Sequence, residues 1–336
     1  MQFKDYLNKI IGGNDLSTEE MTSVMDQLME GELTQAQIGG LLTALRMKGE
    51  SIGEISAAAL SMRRHATQID AGPPPIVDTC GTGGDGSGTY NISTTAAFIA
   101  AGAGVKIAKH GNRAASSKCG SADVLEALGV NLDVSPEQVG ECVREVGIGF
   151  LFARSLHGAM KHVGGPRVEL GTRTIFNMLG PLTNPASATA QVIGVFDGAL
   201  TERFAHVLHS MGSERAMIVH GSDHLDEITL TGPTRVSELK DGAVTTYDFE
   251  PQEIVGSLCT LNDLKGGEIE ENAAITRDIL DGAEGPPATV AKLNAAAAIY
   301  VGGLAPDLAA AYAVAGEAIT SGDAKQKLAD LVAATN

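Results

Sequence analysis

Past residue 75 the chain alternates short apolar runs with helix-forming stretches, and this alternation constrains its fold more than any other feature. Residues 76–78, 105–108, 150–153, 191–196 and 216–220 read as buried strands. Helices are predicted between them: one from about Thr94, one with Ser121 as its N-cap and Gly129 as its stop, one starting at Ser135-Pro136 with Pro at its first position, and one over 201–211. A strand followed by a helix at this spacing implies an α/β domain with a mainly parallel sheet, since parallel neighbours need a crossover long enough to hold a helix.

The first seventy residues follow another rule. Ser17 with Glu20, Thr34 with Gln37 and Ser51 with Glu54 each place a hydroxyl three residues before a side chain that can reach back to the free N–H. Apolar residues follow at helical spacing: Met21, Val24, Met25 and Leu28, then Ile38, Leu41, Leu42 and Leu45. A compact helical unit is therefore expected before the linker at Gly72-Pro73-Pro74-Pro75.

Composition narrows the classes of partner. With 43% hydrophobic and 19% charged residues, 336 residues can bury a sizeable core. A net charge of −17 argues against a nucleic-acid partner, because phosphate backbones are held by dense Lys and Arg. It leaves room for a small anion, which local amides and a few cations can hold. Cys80, Cys119, Cys142 and Cys259 form no CxxC and no metal-ligand spacing, so reduced thiols and a cytoplasmic protein are expected. The N-terminus lacks the apolar core of a signal peptide, and the most apolar stretch, 96–108, is too short to span a bilayer.

Between the strand at 76–78 and the next helix lie five glycines in eight positions: Gly81-Thr82-Gly83-Gly84-Asp85-Gly86-Ser87-Gly88. Glycines there let the backbone approach a ligand and turn amides toward an anion. Asn91-Ile92-Ser93-Thr94 then opens the helix, adding hydroxyls and free N–H groups. The dinucleotide reading of Gly81-x-Gly83-x-x-Gly86 fails, because residues 101–104 carry no acid for a ribose. A Walker A loop needs Gly-Lys-Ser/Thr, which is absent. The loop by itself establishes anion binding and nothing finer. A second cradle of the same type, Lys109-His110-Gly111-Asn112-Arg113-Ala114-Ala115-Ser116-Ser117, leads to a helix start at Gly120-Ser121.

Together these stretches resemble the anthranilate phosphoribosyltransferase family, as do 171–177, Asn184-Pro185 and the acidic pair Asp226-Glu227. The resemblance runs through nearly the whole chain in the family's order. It implies a fold of the nucleoside phosphorylase and phosphoribosyltransferase type: a small helical domain (1–72, joined by an excursion at about 165–184) beside a larger α/β domain (73–164 and 185–336) with a mainly parallel central sheet. The implied reaction joins anthranilate to phosphoribosyl pyrophosphate (PRPP) in tryptophan biosynthesis.

The same resemblance assigns residues. Gly81, Gly84, Asp85, Thr89, Asn91, Ile92, Ser93 and Thr94 would contact PRPP. Lys109, His110, Gly111, Asn112, Arg113, Ala114, Ala115, Ser116, Ser117 and Ser121 would complete its cradle. Ser93, Asp226 and Glu227 would hold Mg²⁺, two ions per subunit. Anthranilate's carboxylate would meet Arg167, a bidentate cation. Gly81, Asn112 and His110 would lie beside its amine and ring, while His157, Met178 and Pro181 line the way in. Taken alone, adjacent acids read as a solvated pair, an isolated His as a structural residue, and Met178 as core. A homodimer and an association with anthranilate synthase are also implied.

No general acid or base is expected, because an aromatic amine is already neutral at pH 7. The difficulty lies in breaking the anomeric C–O bond, so positioning and charge stabilisation should carry catalysis. The alternatives are a pyrimidine-nucleoside phosphorylase, which shares the architecture and a related Lys-His-Gly loop, and a non-catalytic relative that binds nucleic acid.

Overall fold

A computed structural model describes residues 2–114 and 118–336. Ala115, Ser116 and Ser117 of the second cradle lie outside the described residues. Four helices come first: α1 (Phe3–Ile11), α2 (Thr18–Met29), α3 (Gln35–Lys48) and α4 (Ile52–Arg64). The three capping boxes form as the spacing predicts. Ser17, Thr34 and Ser51 accept the amides of Glu20, Gln37 and Glu54, whose side chains return to the cap N–H groups at 2.8 Å. Such caps contribute on the order of 1 kcal/mol each. Glu54 does more, being fully buried: it also accepts from Leu16 N and from Lys48 Nζ, and so ties α4 to the end of α3 and to the loop before α2.

Beyond the linker the chain runs β1 (Val77–Gly81), α5 (Ile92–Gly102), β2 (Ile107–Gly111), α6 (Ser121–Ala127), α7 (Pro136–Glu141), β3 (Ile148–Phe152), α8 (Ala153–Leu156), α9 (Lys161–Leu170) and α10 (Phe176–Leu182). It continues with β4 (Ala190–Gly194), α11 (Leu200–Ser210), β5 (Arg215–Gly221), β6 (Thr234–Lys240), β7 (Ala243–Phe249) and α12 (Gln252–Val255), and closes with α13 (Ile269–Leu280), α14 (Pro286–Val301), α15 (Leu308–Thr320) and α16 (Asp323–Thr335). The strands form one sheet in the order β3-β2-β1-β4-β5-β6-β7. The first five are mutually parallel, and β6 and β7 add an antiparallel edge. The fold class expected from the alternation is present.

The hairpin β6–β7 was not anticipated. Its signal is Asp241-Gly242, whose φ angles of 51° and 75° suit the two-residue turn that joins twisted antiparallel strands. β7 is an edge strand with no fully buried residue, so its polar sequence carries no run of apolar residues to betray it.

Two large cores flank the sheet. On one face the Ala-rich α5 and α14 pack closely: Ala96, Ala97, Ala100 and Ala101 lie with Ala295 to Ala298 around Phe98, Leu293 and Ile299. Small side chains let helix approach helix, which is where much of the alanine goes. On the other face, α9 and α10 leave the sheet between β3 and β4 and send Val163, Phe176, Leu179 and Leu182 into one core with Met25, Leu41 and Leu45. Ile193 and Ile218 of the sheet and Phe204 of α11 belong to that same core, so the helical unit is seated directly on the sheet.

Chain order reverses between β1 and β4, with β2 and β3 on one side and β5 on the other. Crossovers from the two strands diverge there and open a crevice at the carboxyl ends, the usual ligand site in open parallel sheets. Both strands end in glycine, and the two are paired in register, Gly81 with Gly194.

Candidate active site

The crevice is built around Asp226, on the loop after β5. A Cβ at Gly81 would stand 2.7 Å from Asp226 Oδ2, and one at Gly194 would stand 1.6 Å from the Asp226 carbonyl oxygen. Only glycine at both strand ends lets this loop fold over the switch point. Asp226 Oδ2 accepts from Gly83 N at 2.8 Å, so an acid far along the chain holds the glycine-rich loop. Gly83, Gly84, Gly86 and Gly88 all have positive φ, between 66° and 79°. Asp85 sits in the same loop, its Oδ1 accepting from Ser87 N, and Thr89 bridges by backbone to Lys265.

Behind the loop stands the N-terminus of α5, which differs from α2, α3, α4 and α7 in having no side-chain cap. Asn91, at its cap position, instead donates to Cys119 O and accepts from Asn272 Nδ2, tying the second cradle to α13. Ile92 turns into the core and gives its amide to Tyr90 O. Ser93 N donates to Glu227 Oε1 at 3.0 Å. Thr94 is 1% exposed, and among the described residues its buried hydroxyl has no partner. Lys109, at 3% exposure, donates to Thr79 O and, at 3.3 Å, to Ser93 Oγ. Thus β1, β2, α5 and the Asp226–Glu227 loop converge on one point.

The second cradle is held from below. Asp123 Oδ2 accepts from Ala114 N and Gly120 N, while Asn112 O accepts from Ser121 Oγ. Gly111 leaves no room for a Cβ beside Ser121 and Phe150. Asn112 is exposed, with Oδ1 on Arg113 N. The Arg113 guanidinium does not face the crevice as a free charge: it pairs with Asp123 and, through two nitrogens, with Glu126.

His110 and His157 meet Nε2 to Nε2 at 3.1 Å, both buried. Burial lowers the His110 pKa to about 3, helped by His157, and lowers that of His157 to about 4. Both rings are therefore neutral at pH 7. Between two neutral rings one Nε2 donates to the other. Asp78, fully buried below, accepts from His110 N at 3.0 Å. Arg63 of α4 reaches in from the helical unit, donating Nε to Leu182 O, and its charge faces Asp78.

Arg167 lies on α9 with its guanidinium over the Phe176 ring at 5.5 Å. Burial holds its pKa below the usual arginine range, and among the described residues it makes no ion pair. Met178 and Pro181 of α10 are buried, Met178 in the core beneath the helical unit and Pro181 with its carbonyl on Gln191 Nε2. Arg173, Asp78, Arg63 and Gly194 were not singled out by sequence. Gly194, a glycine closing an apolar strand, carried a readable signal; the others gave none outside a motif.

Against known proteins, residues 4–66 match the helical bundle domain of the glycosyl transferase family and residues 73–325 its a/b domain. An anthranilate phosphoribosyltransferase of Desulfosudis oleivorans is 56% identical over 98% of each chain, and one of Moorella thermoacetica is 53% identical over 98% of this chain and 97% of its own. This chain belongs to the anthranilate phosphoribosyltransferase family. Of solved structures, the Thermus thermophilus enzyme superposes with a TM-score of 0.93 at 46% identity, covering 98% of this chain and 99% of its own. The Saccharomyces cerevisiae enzyme, solved with PRPP and Mg, superposes at 0.89 with 29% identity over 99% and 97%.

The acidic pair fits a divalent cation. Asp226 and Glu227 are half-buried. Desolvation, then Asp85, raises the Asp226 pKa to about 7; desolvation, then Asp226, raises that of Glu227 to about 8. Adjacent carboxylates short of positive charge are what a cation would relieve. Among the described residues no three His, Cys, Asp or Glu side chains form a closed cage. The oxygen donors of this pair suit Mg²⁺, which takes one or two carboxylates and completes its shell with water and substrate phosphates.

Proposed function

We propose that this chain transfers the phosphoribosyl group of PRPP to the amine of anthranilate, releasing N-(5-phosphoribosyl)anthranilate and pyrophosphate in tryptophan biosynthesis. The observation that carries the reading is the convergence at the β1–β4 switch point. There the glycine loop, the uncapped α5 N-terminus and Asp226–Glu227 come together at the carboxyl ends of the strands.

In this reading Gly81, Gly84, Asp85, Thr89 and the α5 N-terminus hold PRPP, together with the cradle from Lys109 to Ser121. Ser93, Asp226 and Glu227 hold Mg²⁺, two ions per subunit. Bound there, Mg²⁺ would neutralise charge on the departing pyrophosphate. Arg167 orients anthranilate by its carboxylate, with Asn112 and Gly81 beside the amine. The neutral His110–His157 pair supplies shape and hydrogen-bonding groups, not a base. The amine attacks C1 of the ribose with its own lone pair as the C–O bond to pyrophosphate breaks, and the ammonium so formed gives up its proton to water, so the α-linked donor gives a β-linked product. Residues 1–72 and the excursion at 165–184 form the helical domain over this cleft.

We also propose a homodimer in the cytoplasm. A groove of about 1040 Å³ runs between α1, α3 and α9, lined by Ile10, Gly40, Ala44, Met47 and Leu170. Met47 and Val168 are 83% and 82% exposed on the same helices, an apolar face that a second copy would cover. No helix of the described residues is long and apolar enough to cross a membrane.

The test follows the loss of anthranilate fluorescence with PRPP and Mg²⁺, each omitted in turn. Turnover should require both. Consumption of anthranilate without PRPP, or none with everything present, would overturn the reading.

A further inference from the structure

Arg173 has no part in the roles above. It lies in the turn between α9 and α10, and its Nη2 donates to the Gly84 carbonyl at 2.9 Å. Its guanidinium carbon is 3.7 Å from the centroid of the Phe196 ring, in direct contact with the face. Phe196 follows β4, and its N–H donates to Thr82 Oγ1 at 3.0 Å, while Thr82 N donates to Gly194 O at 2.9 Å. Arg173, Phe196 and Thr82 therefore enclose the first turn of the glycine loop from behind. The front of that turn carries Gly83 N on Asp226.

Two features bear on what this arginine does. Gly83 and Gly84 both have positive φ, and a glycine pair has little conformational preference of its own, so the turn needs outside contacts to hold it. Among the described residues Arg173 makes no ion pair, on a chain with 41 acids against 24 Lys and Arg. A guanidinium spread on an aromatic face and hydrogen-bonded to one carbonyl is a fixed strut, which an ammonium on a flexible stem is not.

We infer that Arg173 is a positioning residue for PRPP: it holds the Gly83–Gly84 turn in its binding form and links that form to α9, the helix that carries Arg167. The inference rests on the PRPP reading proposed above. It makes the donor loop dependent on the segment that bears the acceptor's cation. Where α9 and its following turn sit, the loop is ordered; where they swing away, the loop loses its rear support.

The test compares Arg173→Met, Arg173→Lys and Phe196→Leu with the wild type, by calorimetric binding of PRPP with Mg²⁺ and by steady-state kinetics. Arg173→Met should raise the Kd and KM for PRPP about tenfold, a charge-assisted hydrogen bond being partly replaced by solvent. It should leave the KM for anthranilate within about twofold. Arg173→Lys should recover part of the loss, because it keeps the donor without the stack. Phe196→Leu should shift PRPP affinity the same way by about threefold, and combining it with Arg173→Met should add little, since both act through one contact. Unchanged PRPP affinity in all three variants would overturn the inference, as would equal rises in both KM values or a matching loss of thermal stability. Wild-type protein that binds no PRPP would instead sink the parent reading, and the inference with it.

Discussion

Gly194→Ala tests the architecture of the crevice most directly. The added Cβ would lie 1.6 Å from the Asp226 carbonyl oxygen and 2.4 Å from its carbonyl carbon, both backbone atoms. Reaching even the 3.0 Å that real Cβ contacts respect means a retreat of roughly 1.4 Å by the loop, the overpacked geometry that cores resist. Such a retreat breaks the 2.8 Å bond from Gly83 N to Asp226 and moves Glu227 away from Ser93 N. Overpacking of this kind costs about 1–3 kcal/mol and should lower Tm by a few degrees. The larger effect is on rate, because misplacing reacting groups by about 1 Å can cost on the order of 10²-fold. Assayed by anthranilate fluorescence with PRPP and Mg²⁺ varied, kcat/KM for PRPP should fall about 100-fold or more. Gly316→Ala is the control: it lies in α15 with nothing within 4 Å, and should leave activity unchanged with stability equal or raised by about 0.5–1 kcal/mol. Gly194→Ala with wild-type kcat/KM and wild-type Mg²⁺ dependence would refute the argument.

Arg167→Ala should raise the KM for anthranilate about 10- to 100-fold, a charge-assisted bond lost, with little change for PRPP; steady-state kinetics with each substrate varied decides it. Asn294 of α14, 3% exposed, exchanges two hydrogen bonds with the backbone of Ile228, next to Glu227. Asn294→Ala should therefore lower Tm by several degrees and raise the Mg²⁺ concentration needed for half-maximal rate, and a normal Mg²⁺ titration would count against it. His110 and His157 fall from 6.5 to about 3 and about 4 on folding, so the unfolded chain binds more protons between these values. Stability on their account is complete above pH 6.5 and is lost as pH falls through about 4 for His157 and toward about 3 for His110. The double His→Gln variant should show a flatter Tm profile over that window by scanning calorimetry, and an equally steep one would be contrary. Met47→Glu changes a residue 83% exposed, so the fold should persist while sedimentation shows monomer in place of dimer. Wild-type sedimentation as a monomer would remove the dimer proposal.

The sequence determined what depends on near neighbours. Caps at Ser17, Thr34, Ser51 and Ser135 formed as read, because a cap is settled within four residues. The helix expected to be capped by Ser121 starts with Ser121 already inside it, since Asp123 reaches back to Gly120 N and takes over the cap. The parallel strands were legible as apolar runs, whereas the edge hairpin β6–β7 was not, because a half-exposed edge needs no such run. Local residues also identified the glycine loop as an anion site, and the order of long motifs carried the family resemblance.

Only the tertiary structure decided what the loop faces. Strand order put Gly81 beside Gly194, which opened the space that Asp226 fills from 143 residues beyond Gly83. It also paired His110 with His157, kept both neutral by burial, spent Arg113 on Glu126, and set Arg173 behind Gly84. Such contacts depend on which chain segments share a sheet end, and spacing along the sequence does not encode that. Desolvation, which makes these acids, histidines and arginines chemically distinct, exists only once the crevice is built.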